Sequence, residues 1–211
     1  MSIKKDIWDI LRTDMAIQKD LDRGLINTRA LARYILKNYP VKAGFDTAIV
    51  AIREFRSEQV FQKEEQKLSR LFKDSAIKTR DNVACITLRR SGLEKVNRAF
   101  DRNDVLRMVS GSSSIKIITD RDTLGEARAI FPAKDVIKVE EGLSELSVTL
   151  SEKVIKTKGI LARIADEIAL QNINIEELII CPPEFLIYVK QEDVIKTYEA
   201  LLKLRKKAET A

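Results

Sequence analysis

The fold is decided by the stretch Leu146-Ser147-Val148-Thr149-Leu150 and by the segment that follows it. Alternating apolar and β-branched residues are typical of a strand that buries at least one face. Gly159 then opens a segment whose apolar residues recur at helical spacing, namely Ile160, Leu161, Ile164 and Ile168. The stretch therefore predicts a strand followed by an amphipathic helix.

The residues after this helix extend the pattern. The runs 173–181 and 185–189 predict two strands, and Pro182-Pro183 forms the turn between them. A final helix is indicated by Val194, Tyr198, Leu201 and Leu202. The order is that of the ferredoxin-like βαββαβ arrangement.

The same order occurs once before, between residues 83 and 139. The sequence predicts a strand at 83–88, a Ser91-Gly92 turn, a helix with Leu93, Val96 and Phe100, strands at 105–109 and 115–118, a helix with Leu124, Ala127 and Ile130, and a strand at 136–139. An internal duplication favours two small sandwiches over one large sheet.

The second copy departs from the first at its end. After residue 203 the chain reads Lys203-Leu204-Arg205-Lys206-Lys207, with nothing that resembles a fourth strand. The strand at 146–150 would then lie at a sheet edge, and natural proteins rarely leave such an edge unpaired. We expect it to pair with a strand of the first copy or of a second protomer.

Residues 1–57 are predicted to be all helical. Ile3, Ile7, Ile10 and Leu11 form one apolar stripe, and further helices are expected at about 14–22, at 28–38 with Asn27 as N-cap, and from Gly44 onward. The polar segment 58–74 has little apolar surface, so we interpret it as a connecting helix that needs a partner surface.

The predicted fold class is therefore α+β. An N-terminal helical unit (1–57) and a connecting segment (58–80) precede the first module (81–141) and the second module (142–211). No apolar run approaches the roughly 20 residues that span a bilayer, and the N-terminus has no hydrophobic leader, so we expect no membrane partner and a cytoplasmic location.

Composition excludes several kinds of chemistry. The 211 residues contain no histidine and two cysteines, which rules out a Ser-His-Asp relay, a histidine metal site and a four-thiolate zinc site. No glycine-rich phosphate-binding motif is present. We expect no enzyme activity, no cofactor and no metal ion.

Charge is distributed unevenly along the chain. Residues 1–80 hold 17 Lys and Arg against 11 Asp and Glu, while residues 141–211 hold 10 against 12. The basic surplus at the N-terminus favours either a polyanion partner or a solvated basic surface.

The second copy resembles an ACT domain, the βαββαβ module that senses amino acids. The resemblance is carried by 147–150, Lys158-Gly159-Ile160-Leu161-Ala162-Arg163-Ile164, 172–175 and 186–189, and it is strongest for the ACT domains of aspartate kinases. The first copy looks like a degenerate ACT module. With Leu25-Ile26-Asn27-Thr28-Arg29-Ala30-Leu31-Ala32-Arg33 in front, the whole chain resembles an archaeal family of predicted regulators of amino-acid metabolism.

The resemblance implies an amino acid bound at an interface between modules. Carried over, it nominates Lys158, Gly159, Ile160, Asn172 and Asn174, with Ser91 and Gly92 as weaker candidates in the first copy. Lys158 replaces a common Pro, and Gln171-Asn172 replaces a small residue plus Gly. Glycine at the turn lets the backbone N–H groups of a helix start approach an α-carboxylate.

The N-terminal unit resembles a helix-turn-helix. Residues 31–35, a turn through Pro40 to Gly44, and residues 46–53 would be its two central helices. If Phe45, Ile49 and Ile52 face the core, the other face of the second helix points outward, as in DNA recognition. The candidates for phosphate contact are Arg29, Arg33, Lys42, Arg53 and Arg56. A small helical interaction domain is the alternative.

These observations predict a regulator of amino-acid metabolism that binds a small amino acid, forms a homodimer or higher oligomer, and reads out binding through the helical unit on DNA or protein. The alternative is a non-catalytic subunit that docks on an amino-acid biosynthetic enzyme.

Overall fold

The computed structural model describes residues 3–57, 68, 70–92, 96 and 107–209, with the backbone alone at 56, 57, 155, 156 and 207–209. The chain divides into two compact units, Met1–Lys67 and Leu68–Ala211. Most of the predicted connecting segment 58–74 and of the helix predicted around 93–100 lies outside the described residues. No helix among the described residues is both long and apolar enough to cross a membrane.

The first unit contains the helices predicted for it. These are α1 (Ile3–Thr13), α2 (Met15–Asp22), α3 (Thr28–Asn38) and α4 (Phe45–Ser57). Asn27 caps α3 as predicted, because its side-chain oxygen accepts hydrogen bonds from the N–H groups of Arg29 and Ala30. Of the predicted stripe, Ile7 and Leu11 are fully buried in one core and Ile10 packs against it, whereas Ile3 is exposed.

The second unit is one antiparallel sheet with helices. Its strands are β1 (Ala76–Arg89), β2 (Arg107–Ser110), β3 (Ser114–Asp120), β4 (Val136–Thr149), β5 (Glu177–Cys181) and β6 (Glu184–Lys190), in the order β2-β3-β1-β4-β6-β5. The α-helices whose two ends lie among its described residues are α5 (Leu124–Ala129), α6 (Ile160–Ala169) and α7 (Val194–Glu209). Leu71 and Phe72, which precede β1, pack into the core around α6 and α7.

The two 14-residue strands β1 and β4 are shared by both predicted modules. The second half of β1 pairs with β3 and with the first half of β4, which completes the first module. The second half of β4 pairs with β6, and its other side pairs with residues 76–80 of β1. Residues 76–80 therefore take the place of the fourth strand that the second copy lacks, which confirms the prediction that 146–150 pairs with another strand.

The interpretation as two separate sandwiches is wrong. The strands expected at 136–139 and 146–150 are one continuous strand, so the modules share one sheet. The strand expected from 173 begins at Glu177. Gly142, the first residue of the predicted second module, lies inside β4 with φ +69°, and Asn82 of β1 has φ 61° beside a register shift.

The sheet curves strongly in the region of Asn82 and Gly142, which we call the bend. Lys116 of β3 and Glu177 of β5 form a salt bridge although three strands lie between theirs. Strands are about 4.8 Å apart, so a flat sheet would hold these residues roughly 19 Å apart. The two halves of the sheet therefore face each other across a second core of Val83, Cys85, Ile118, Leu143, Leu186 and Tyr188.

We predict opposite effects of alanine at two glycines. A Cβ would meet nothing within 4 Å at either Gly142 or Gly125, so only the backbone distinguishes them. Gly142→Ala must place an L-residue at φ +69° and should cost about 1–2 kcal/mol. Gly125→Ala lies inside α5 and should stabilise by about 0.5–1 kcal/mol. Urea unfolding measures both changes in the free energy of unfolding. A Gly142→Ala variant as stable as the wild type would contradict the left-handed conformation of Gly142.

Candidate functional site

Gly159 is the N-cap of α6 in a left-handed conformation, with φ +84°. Its carbonyl accepts a hydrogen bond from the N–H of Arg163 at 3.0 Å, which begins the helix. Gly159 is exposed, whereas Ile160 beside it is buried. A side chain here would suffer backbone strain, and its Cβ would lie 3.5 Å from Cδ1 of Leu68. The backbone conformation thus explains why glycine stands at this position.

The start of α6 has the electrostatics of an anion site. The first N–H groups of a helix have no partner within it, and the helix dipole favours negative charge there. The first turn of α6 contains no acidic residue, and Gly159 provides no capping side chain. Lys158 precedes it with an exposed side chain. The arrangement can accept a carboxylate.

Asn172 and Asn174 lie at the other end of α6. Asn172 has φ 58° and its N–H donates to the carbonyl of Ala169 at 2.8 Å, so it helps to end the helix. Asn174 is exposed in the segment before β5. Ten helical residues span about 15 Å. The structure therefore does not bring these asparagines to Gly159 within one chain.

Ser91 and Gly92 occupy the corresponding turn of the first module. The hydroxyl of Ser91 donates to Oδ1 of Asp135 at 2.8 Å, and Asp135 is buried. Gly92 is buried as well, and a Cβ there would contact Asp135 and Leu88. A carboxylate of the chain itself thus sits at this turn, which distinguishes it from the exposed Gly159.

The predicted phosphate-contacting residues are on the surface of the first unit. Arg29, Arg33, Lys42 and Arg53 are exposed, and the side chain of Arg56 lies outside the described residues. Arg33 lies over the ring of Phe45, 5.5 Å from its centroid. On α4, Ile49 and Ile52 face the core while Asp46, Thr47, Val50, Arg53 and Glu54 are exposed, as the helical period predicted.

A polar cluster between the two halves of the sheet was missed by the sequence analysis. Tyr188 donates its hydroxyl to the buried carboxylate of Glu145 at 2.5 Å, and Arg107 approaches the same carboxylate at 3.8 Å. The Lys116–Glu177 pair lies on the same side of the sheet. The signal was present, because Lys116 stands between Ile115 and Ile117 inside an apolar strand.

Burial perturbs the titratable groups of this cluster. It raises the pKa of the Cys85 thiol to about 11. It also raises the pKa of Tyr188, and the hydrogen bond to Glu145 acts in the same direction. The hydrogen bond that Lys116 donates to Glu177 raises the pKa of Lys116. Cys85, Lys116 and Tyr188 therefore keep their protons at neutral pH.

Surface cavities within the second unit include two that are lined by described residues. One of about 620 Å³ lies beside the bend and is lined by Glu140, Glu141, Gly142, Leu143, Glu176, Lys190, Gln191 and Glu192. The other, of about 600 Å³, lies between α5 and the start of β4. Neither is lined by a predicted ligand-binding residue. No group of three potential metal ligands occurs in the part of the chain that the structure describes.

Several solved structures share this fold. The regulatory subunit of aspartate kinase from Thermus flavus superimposes with a TM-score of 0.54 at 13% identity, covering 61% of this chain and 95% of that one. The ligand-free regulatory subunit from Thermus thermophilus gives 0.52 at 16% identity, again covering 61% and 95%. The match to the aspartate kinase of Clostridium acetobutylicum has a TM-score of 0.52 at 16% identity and spans 61% of this chain but only 34% of the kinase.

No family model and no curated protein matches the chain. At these identities the structural matches establish a shared fold. About 61% of this chain thus shares its fold with aspartate kinase regulatory subunits.

We predict that stability falls above pH 9. Burial raises the pKa of Cys85 from 9.0 to about 11, so the folded state keeps a proton that the unfolded chain releases. The free energy of unfolding should therefore fall by up to about 1.4 kcal/mol per pH unit between pH 9 and 11. The raised pKa values of Tyr188 and Lys116 add losses of the same sign from about pH 10.

Urea unfolding under reducing conditions at pH 8, 9 and 10 tests this. Cys85→Ala should lower stability at pH 8 but remove most of the decline between pH 9 and 10. The matched variant Cys181→Ala changes an exposed thiol and should leave the decline unchanged. An equal decline in all three proteins would contradict the assignment to Cys85.

Proposed function

We propose that this protein is an amino-acid-sensing regulator without catalytic activity of its own. A small amino acid would bind at the start of α6, and the N-terminal helical unit would read out the binding. The observation that carries the proposal is the exposed start of α6, where Gly159 leaves the first N–H groups open to a carboxylate.

The geometry of α6 supports a ligand held between copies. An α-carboxylate would accept hydrogen bonds from the first turn, beside Gly159 and Ile160, with Lys158 adding positive charge. Asn172 and Asn174 are about 15 Å away at the other end of the helix, so one small ligand meets both sets only where two protomers adjoin. The proposal therefore includes a homodimer or higher homo-oligomer.

The shared fold supports the regulatory role. The Thermus matches are regulatory subunits of an enzyme of amino-acid metabolism, and they match over nearly their whole length. A sensor needs only a modest coupling between sites, about 1–3 kcal/mol. A ligand that favours one packing of protomers supplies such a difference.

We expect one or a few of the twenty amino acids to raise the melting temperature. At a concentration of 100 times Kd, binding to the folded state adds about 2.7 kcal/mol. At roughly 2–4 °C per kcal/mol this is a shift of about 5–10 °C. Differential scanning fluorimetry measures it. No shift at millimolar concentrations of any amino acid would contradict sensing.

Two lysine variants locate the site. Lys158→Gln removes an exposed charge next to Gly159 and should weaken binding by up to about fivefold, as expected for an exposed ion pair. Lys153→Gln removes an exposed lysine five residues earlier and should bind like the wild type. Equal affinities in the two variants would remove Lys158 from the site.

DNA binding by the helical unit is one form of the readout. Its support is the exposure of Arg29, Arg33, Lys42 and Arg53 on a unit whose residues 1–57 hold 11 Lys and Arg against 7 Asp and Glu. We expect salt-dependent retention on DNA that is lost in Arg53→Glu plus Arg56→Glu. Lys78→Glu plus Lys196→Glu changes the net charge equally on the second unit and should keep retention.

The alternative readout is docking on an amino-acid biosynthetic enzyme. The fold favours it, since the regulatory subunits that this chain resembles are parts of an enzyme. Retention on DNA that is equal in both double variants would select this alternative.

A further inference from the structure

The first half of β4 has a free edge. Residues 136–140 pair with β1 on one side, whereas β6 joins the other side only from Leu143 onward. Within the described ranges no strand lies beside Val136–Glu141 on that second side. A free edge presents backbone N–H and C=O groups in the spacing that another strand needs. The edge is thus open to strand addition.

A groove of about 600 Å³ runs along this edge. Val136, Ile137, Lys138 and Val139 form one wall, and α5 and the turn after it form the other with Gly125, Arg128, Ala129, Phe131 and Ala133. Ile137 is 52% exposed and has no partner in the register with β1. A Cβ at Gly125 would meet nothing within 4 Å, so small residues keep the groove open.

The charge of the groove selects its occupant. Two basic residues line it, Arg128 and Lys138, and no acidic residue does. Lys138 pairs with Glu140 at 2.6 Å but keeps 62% of its side chain exposed. Arg128 is exposed and has no ion-pair partner in the part of the chain that the structure describes. An acidic occupant is therefore favoured over a neutral or basic one.

We propose that this groove binds an extended acidic segment of a partner protein, which adds a strand beside Val136–Val139. The backbone of the segment would pair with the free edge. Alternate apolar side chains of the segment would contact Ile137 and fill the space beside Gly125 and Ala129. Its carboxylates would form ion pairs with Arg128 and Lys138. The site lies in the first module and is independent of the effector site at Gly159.

The test uses three labelled hexapeptides and the full chain. Fluorescence anisotropy should show binding of Glu-Val-Glu-Val-Glu-Val that weakens with salt. Lys-Val-Lys-Val-Lys-Val has the opposite charge, and Glu-Val-Pro-Val-Glu-Val cannot complete a strand ladder. Both should bind at least about tenfold more weakly. Equal affinity of either control peptide, or no binding of the acidic peptide up to about 1 mM, would overturn the proposal.

Two variants map the binding to the groove. Gly125→Leu fills the groove from a helical position where a Cβ would meet no atom within 4 Å, and Arg128→Glu reverses the charge of a lining residue. Each variant should weaken binding of the acidic peptide about tenfold or more. Lys196→Glu makes the same charge reversal on α7 and should stay within about twofold of the wild type. Circular dichroism confirms that all three variants are folded.

A second copy of the chain is the competing occupant. Sedimentation velocity decides this case with Ile137→Glu, which places a charge on the free edge. A wild-type dimer that this variant converts to a monomer would show that the edge joins two copies, and the proposal would be wrong. An association state unchanged by the variant, together with peptide binding, supports it.

Discussion

The pairing of β1 with β4 is the constraint on which the second unit depends. Each strand has 14 residues, and each belongs to both modules, so neither module has a complete sheet without the other. The contacts between Ala76–Arg80 and Glu145–Thr149 join residues about 70 positions apart in the chain. Closing such a loop is entropically costly, and the buried apolar residues on both faces offset that cost. The two modules are thus expected to fold as one cooperative unit.

Curvature of the sheet along β1 and β4 brings the residues of the polar cluster together. Left-handed residues in both strands, Asn82 and Gly142, lie where the sheet turns back on itself. The turn brings Lys116 to Glu177 and Arg107 to Glu145, pairs that a flat sheet would hold far apart. These ion pairs are only partly buried and contribute little net stability compared with apolar packing, but they disfavour arrangements that separate their partners. The cluster therefore fixes how the two halves of the sheet face each other.

Local sequence patterns predicted most helices and strands, whereas the arrangement of the strands depends on pairing between residues far apart in the chain. Asn27 and the stripe of Ile7 and Leu11 gave the helices of the first unit, because capping and helical period act within a few residues. The same local reasoning divided the chain between residues 141 and 142 and treated 136–139 and 146–150 as two strands, whereas the structure joins them in β4. That 76–80 supplies the missing strand has no local signal at all, because Thr79 and Arg80 read as polar linker.

The candidate site likewise has features that local sequence patterns predicted and contacts that they could not predict. Glycine before an amphipathic helix indicated where α6 begins, and the structure shows this glycine in a left-handed conformation, with φ +84°. The sequence could not show that Ser91 already contacts Asp135, because 44 residues separate them. This difference gives the two modules unequal tasks under the proposed function. The turn at Ser91 already contacts a buried carboxylate of its own module, whereas the start of α6 is exposed, so under the proposed function sensing would fall to the second module.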